Sequence, residues 1–148
     1  MTYKDKYSQW LAFAVEATKA ELEALTDEKE IEDRFYKDLA FGTGGLRGVM
    51  GAGSNRMNKY TVGKATLGLA RYLKSKNSGD ISGAIAYDTR NNSQYFAKTA
   101  AGVFASQGIQ VFIYEMVVPV PVLSFTTHYL NCTAGVMLTA SHNPKEYN

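Results

Sequence analysis

The stretch ISGAIAYDTRNNSQYF, residues Ile81 to Phe96, passes through three textures in sixteen positions. Its first part, Ile81 to Tyr87, is apolar and too short for a stable helix, so it reads as a buried strand. Asp88-Thr89-Arg90-Asn91-Asn92 is a turn composition. Beyond it, with a cap near Ser93, Phe96, Ala100, Val103 and Phe104 recur at helical spacing until Gly108 stops the run. A buried strand feeding a helix through a polar loop is the unit from which parallel sheets are assembled.

The flanking sequence repeats this alternation. Downstream, Ile109 to Tyr114 (IQVFIY) is rich in β-branched and aromatic residues and reads as a strand, Pro119 and Pro121 frame the entry to a helix over Val122 to Leu130, and Ala134 to Leu138 is a final strand. Upstream, Val62, Ala65, Leu69 and Leu73 mark a helix that ends at the breaker NSGD. Before it lies FGTGGLRGVMGAGSNRMN, Phe41 to Asn58, whose glycines rule out a helix interior; it reads as a loop with a short strand at Gly48 to Met50. Two helices lead the chain, one from about Tyr3 to Leu25 and one starting at Thr26-Asp27-Glu28. The expected fold is therefore α/β: a three-layer α/β/α domain with a mostly parallel sheet, preceded by N-terminal helices. In such folds the functional loops gather outside the C-terminal strand ends.

At 148 residues and 45% hydrophobic content the chain can bury a core as one globular unit. The formal net charge of +2 supplies no long-range field to recruit nucleic acid or an anionic membrane, so any anion must be bound locally. The single cysteine, Cys132, can form no internal disulfide, no apolar run reaches spanning length, and the charged start lacks a signal-peptide pattern. A cytoplasmic protein is the expectation.

Three polar loops then draw the chemistry together: TASHNP after the last strand, DTRNN after the first, and GTGGLRG before or within another. Thr139, Ser141 and Asn143 offer hydroxyl and amide groups, turn N–H groups can form an anion-binding concavity, and Arg47 and Arg90 carry guanidinium forks suited to phosphate. Together they suit a phosphoryl group. Taken singly, each residue has an ordinary reading: Ser141 as a turn serine, His142 as a solvated loop residue, the arginines as partners of carboxylates such as Asp88, and Gly44, Gly45 and Gly48 as chain-turning glycines. Other motifs fit less well. GTGGLRG has neither the Gly-Lys-Ser/Thr of a P-loop nor G-x-G-x-x-G spacing. Ser141 and His142 make no hydrolase pair, since neighbours in an extended segment point apart and no G-x-S-x-G elbow is present. His128 and Cys132, at i, i+4, offer a metal only two ligands.

With FGTGGLRG, MGAGSNRMN, AYDTR and TASHNP considered together, the chain from about Phe41 to Asn148 closely resembles the first domain of the α-D-phosphohexomutases, the phosphoglucomutase and phosphomannomutase family, and most nearly its bacterial phosphoglucomutase branch. The resemblance implies residues 41–148 as a first domain with a mixed, mostly parallel four-stranded sheet, and residues 1–40 as a helical segment packed on it. It implies four domains around one cleft, so that this chain would be a fragment needing the remaining mutase domains, and one inactive on its own. It also implies that Ser141 is a phosphoserine which exchanges a phosphoryl group with a sugar phosphate through hexose 1,6-bisphosphate, interconverting hexose 1-phosphate and hexose 6-phosphate, with glucose expected before mannose or a pentose. Arg47 would stand beside that group and assist, His142 and Asn143 would flank it, and Thr139, Asp88, Gly44 and Gly45 would support the loops. Arg90 would brace the loop. Mg²⁺ would meet this chain only through the Ser141 phosphate, its aspartate ligands belonging to a second domain; no Asp-x-Asp-x-Asp run occurs here. The alternative from another class is a non-catalytic phosphate-binding or interaction module.

Overall fold

The computed structural model of the chain describes residues 1–42 and 44–148; Thr43, inside the glycine-rich loop, lies outside the described residues. The chain forms two compact units, Met1–Thr61 with Tyr147, and Val62–Glu146 with Asn148.

The first unit begins with α1 (Tyr3–Phe13), whose N-terminus is closed by a capping box between Thr2 and Asp5. The sequence pattern predicts one helix to Leu25, but the chain turns extended at Ala14 and Val15 and restarts as α2 (Glu16–Glu23). A tyrosine hydroxyl accounts for the break, because the Val15 N–H donates to the Tyr60 oxygen at 2.8 Å. Next, α3 (Glu28–Phe35) is capped by the Asp27 side chain. Leu22, Ile31, Phe35 and Ala52 form the core, with Tyr7, Trp10 and Leu11 packed against it. Edge-on ring pairs join Phe35 to Tyr7 and Trp10, both at 5.7 Å between centroids.

The glycine-rich loop opens with a short antiparallel pair, β1 (Phe41–Gly42) and β2 (Gly45–Leu46). Its later part is clamped by the helices before it. Arg34 binds Glu21 at 2.6 Å and Glu30 at 2.8 Å, and donates to the Ala52 carbonyl at 3.0 Å, while the Ala52 N–H donates to Glu21. Burial works against the Arg34 charge, but the hydrogen bonds to Glu21 and Glu30 outweigh it and raise its pKa above the ordinary value. Gly53 has φ +136°, and a Cβ there would sit 2.7 Å from the Arg34 carbonyl oxygen, so only glycine fits. Asn58 ties the loop to the next helix: its amide donates to the carbonyls of Gly51 and Gly53, and its oxygen accepts from the N–H groups of Tyr60 and Thr61 at the start of α4 (Lys59–Lys76).

The second unit is the parallel sheet and its helices. In chain order it contains α4 from Val62 onward, then β3 (Ser82–Tyr87), α5 (Ser93–Ser106), β4 (Gln110–Ile113), α6 (Val120–Tyr129) and β5 (Ala134–Leu138). Among the described residues the sheet has three strands, all parallel, in the order β4-β3-β5. This corrects the expected mixed, four-stranded sheet. The segment Gly48 to Met50 makes only isolated bridges at Val49 and Met50, and Gly51 at φ +145° turns the chain away before a ladder can form.

Both faces of the sheet are covered. On one, Ala84 and Ala86 pack with Leu123 of α6, and Gly135 brings β5 so close that a Cβ would meet the Thr127 hydroxyl at 2.7 Å. On the other, Gly83 leaves room for the ring of Phe104 in α5, which a Cβ would approach to 3.0 Å. Gly63 of α4 in turn meets Val103 of α5. The three-layer α/β/α arrangement read from the sequence is thus present. Coverage of both faces also explains why β3 is buried continuously from Gly83 to Tyr87 instead of on alternate residues.

Candidate functional site

The parallel register sets Tyr87 opposite Leu138, so DTRNN and TASHNP emerge side by side from the same end of the sheet. The Asp88 N–H donates to the Leu138 carbonyl at 3.2 Å, which continues the ladder one step into the loops. From there side chains take over. The Thr139 hydroxyl donates to Asp88 Oδ2 at 2.5 Å, and Asp88 Oδ1 accepts from the Arg90 N–H and from the Ser93 hydroxyl, both at 3.0 Å.

Ser141 follows in a left-handed conformation, φ 53°. Its N–H donates to Thr139 Oγ1 at 3.0 Å, and the Asn143 N–H closes a turn on the Ala140 carbonyl at 3.0 Å. Arg90 clamps this turn from the neighbouring loop: its guanidinium donates to the carbonyls of Ser141 at 2.5 Å and of Pro144 at 3.3 Å. The Ser141 side chain is left exposed, with Oγ 3.3 Å from His142 Nδ1. That contact corrects the expectation that neighbours point apart: the left-handed turn at Ser141 swings two adjacent side chains together, whereas an extended segment would separate them.

Ser141, His142, Thr139, Asn143, Asp88 and Arg90 accordingly share one cluster in the second unit. Arg47, Gly44 and Gly45 belong to the first. There Gly45, the first residue of β2, has φ +112°, and the Arg47 guanidinium folds back over Gly44, where a Cβ would come within 2.8 Å of its nitrogen. The cluster holds two residues that the sequence pattern does not mark as part of a site. Ser93 reads there only as a helix cap, yet it is buried beneath Asp88; Asn148 is also buried, and its amide donates to Ser93 Oγ at 2.8 Å and to the Asn91 carbonyl at 2.9 Å. The spelling DTRNNS contains a signal for the first, a serine five positions after the aspartate. Nothing in the sequence singles out the second.

An open cleft of about 590 Å³ lies on the β4 side of the same strand ends, lined by Tyr87, Asp88, Arg90, Gln94 and Glu115 among others. Ser141 is not part of its lining. No group of three or more His, Cys, Asp or Glu that could hold a metal occurs among the described residues. No helix among them is long and apolar enough to cross a membrane.

Most of the chain, both strand-end loops included, aligns with known proteins. A family model described as phosphoglucomutase/phosphomannomutase, alpha/beta/alpha domain I, matches residues 38–148. The chain belongs to this family. A phosphoglucomutase of Staphylococcus aureus (strain USA300) is 48% identical over 124 residues, which cover 82% of this chain and 22% of that protein. A phosphoglucomutase of Staphylococcus haemolyticus (strain JCSC1435) is 45% identical over 117 residues, 79% of this chain and 21% of the relative. Among solved structures, a protein of Thermus thermophilus assigned as a phosphomannomutase superposes with a TM-score of 0.68 at 33% identity, covering 75% of this chain and 24% of that one. The chain spans about a fifth of the length of the curated relatives it matches. As a mutase-family domain I, it carries both strand-end loops described above within the matched region.

Proposed function

We propose that this domain serves a hexose-phosphate mutase and that Ser141 is the residue that carries its phosphoryl group. The observation that supports this most is the exposed Ser141 hydroxyl, held out by a left-handed turn whose carbonyls are clamped by Arg90. Phosphoryl transfer is governed by positioning and by stabilisation of charge on the equatorial oxygens, and a rigid turn at a strand end meets the first need. In the step envisaged, the Ser141 oxygen forms a bond to phosphorus of a hexose bisphosphate, the bond from phosphorus to the sugar oxygen breaks, and the serine proton ends on that oxygen. In the other half of the cycle the phosphorylated Ser141 gives its phosphoryl group to the free 6-hydroxyl of hexose 1-phosphate: the bond from phosphorus to the serine oxygen breaks, the 6-hydroxyl proton passes to that oxygen, and the bisphosphate so formed is the one that then yields its 1-phosphoryl group to Ser141. Net, hexose 1-phosphate becomes hexose 6-phosphate; glucose is the proposed sugar, after the names of the two Staphylococcus relatives.

Arg47 is proposed to stabilise the charge that develops in transfer, and His142, 3.3 Å from the Ser141 hydroxyl, to exchange its proton. A resident Mg²⁺ does not fit the residues present: without a metal-ligating cluster among the described residues, this chain would contribute only oxygens of a Ser141 phosphate. Turnover is assigned to a longer protein, as the share of the relatives covered would require; the 148-residue chain alone is expected to show none in a coupled assay.

The test is peptide mass spectrometry on the full natural polypeptide containing this chain, incubated with hexose 1,6-bisphosphate. Phosphate is expected on Ser141, Ser141→Ala should abolish both label and turnover, and Arg47→Ala should slow labelling with partial recovery in Arg47→Lys, which keeps the charge but loses the fork. Phosphate on Thr139 or His142, with Ser141→Ala fully active, would reject the assignment.

A further inference from the structure

We infer that Asn148, Ser93, Asp88 and Thr139 form a positioning relay that fixes Ser141 in its left-handed turn and so aims its hydroxyl for phosphoryl transfer. This inference rests on the assignment of Ser141 as the phosphoryl carrier.

The relay is a chain of hydrogen bonds with one polarity. From one side the Asn148 amide donates to Ser93 Oγ at 2.8 Å, and Ser93 Oγ donates to Asp88 Oδ1 at 3.0 Å. From the other the Ser141 N–H donates to Thr139 Oγ1 at 3.0 Å, and that hydroxyl donates to Asp88 Oδ2. The Arg90 N–H adds a further donor to Oδ1. Every arrow therefore ends on the Asp88 carboxylate, the one group in the relay that accepts only. Bonds to an ionised acceptor are shorter and stronger than neutral ones, and hydroxyls in series polarise one another. Ser93 and Asn148 are 0% and 2% exposed, so the inner half of the relay is shielded from competition by water.

The directionality makes the relay more than packing. Thr139 Oγ1 can accept from the Ser141 N–H while keeping its own proton on Asp88. An amide at position 88 cannot serve both ends, because its NH₂ group would have to face a hydroxyl that is itself a donor. The isosteric change Asp88→Asn therefore alters the pattern of protons while hardly altering shape. Asp88, Thr139, Ser93 and Asn148 touch no reacting atom in this scheme. They act through the Ser141 backbone.

The experiment measures two quantities in the full natural polypeptide containing this chain: the rate at which Ser141 is labelled by hexose 1,6-bisphosphate, normalised to the folded fraction, and the hydrogen-exchange rate of the Ser141 N–H. Asp88→Asn and Thr139→Val should each slow labelling at least tenfold and speed exchange of that amide at least tenfold, Ser93→Ala should do so by a smaller factor, and Thr139→Ser should recover at least half of the labelling rate. The double variant Asp88→Asn/Thr139→Val should be no slower than the worse single variant, since both break the same chain of bonds. Wild-type labelling and exchange rates in Thr139→Val would overturn the relay alone. An unlabelled wild type would reject the phosphoserine assignment and the relay's role with it, so the two failures are told apart.

Discussion

Ser141 holds a backbone conformation, φ 53°, that costs an ordinary L-residue roughly 1–2 kcal/mol. Ser141→Ala and Ser141→Gly both remove the hydroxyl and its contact with His142, so a comparison of the two isolates the backbone. Glycine should be the more stable by about 1 kcal/mol in chemical denaturation, after its larger loss of chain entropy is counted, while neither variant accepts phosphate. Equal stabilities would show that the turn carries no strain at this position. The residue is legible in the sequence because TASHNP is an unusual spelling; its conformation is not, since positive φ at a serine has no signature in composition. The same limit hides Asn148, whose burial depends on Ser93 and Asn91, residues more than fifty positions away.

Among the elements, β3 and α5 illustrate how closely the layers approach. Gly83 faces the ring of Phe104, and an added methyl would come to about 3.0 Å of two ring carbons. Gly83→Ala is expected to destabilise the domain by about 1–3 kcal/mol, the usual cost of overpacking, and the double variant Gly83→Ala/Phe104→Leu should recover part of that loss in thermal denaturation. Additive effects of the two changes would show that they do not share the space. The strands and helices of the second unit are readable because each carries its own period or apolar run. The sheet count is not: Gly48 to Met50 has strand-like residues, but the backbone at Gly51 settles whether they can pair. Likewise, the division of the leading helix at Ala14 and Val15 follows from the Tyr60 hydroxyl, a partner 45 positions distant that no local periodicity reveals.

Across the whole molecule, charge is nearly balanced at a net +2, and the shifted carboxylates lie near the N-terminus. Glu28 is lowered by the hydrogen bond from the Tyr3 hydroxyl and by Lys4, and Asp5 by the N–H and the hydroxyl of Thr2. Folding depresses both pKa values, so their contribution is complete above the ordinary carboxylate range and is lost as the pH falls through the lowered folded-state values. Trp10, the sole tryptophan, sits against Phe35 and Tyr60 and reports on this unit alone. Its fluorescence-detected denaturation midpoint should fall between about pH 6 and about pH 3, and Glu28→Gln should flatten that dependence; an unchanged slope would show that the Glu28 charge, held by Tyr3 and Lys4, contributes nothing to the pH dependence.

The strand order β4-β3-β5 also has a consequence in time. The central strand is the first of the three to leave the ribosome, and both of its neighbours follow it. The bond that closes Asp88 on Thr139 joins residues 51 apart. At ~5–20 residues per second of synthesis, this strand, the most buried of the three in the finished sheet, waits on the order of 3–10 s with an edge unpaired. The same ordering that buries β3 on both sides in the finished protein makes it the nascent chain's longest-lived sticky surface, and the segment where a holding chaperone would be most useful during translation.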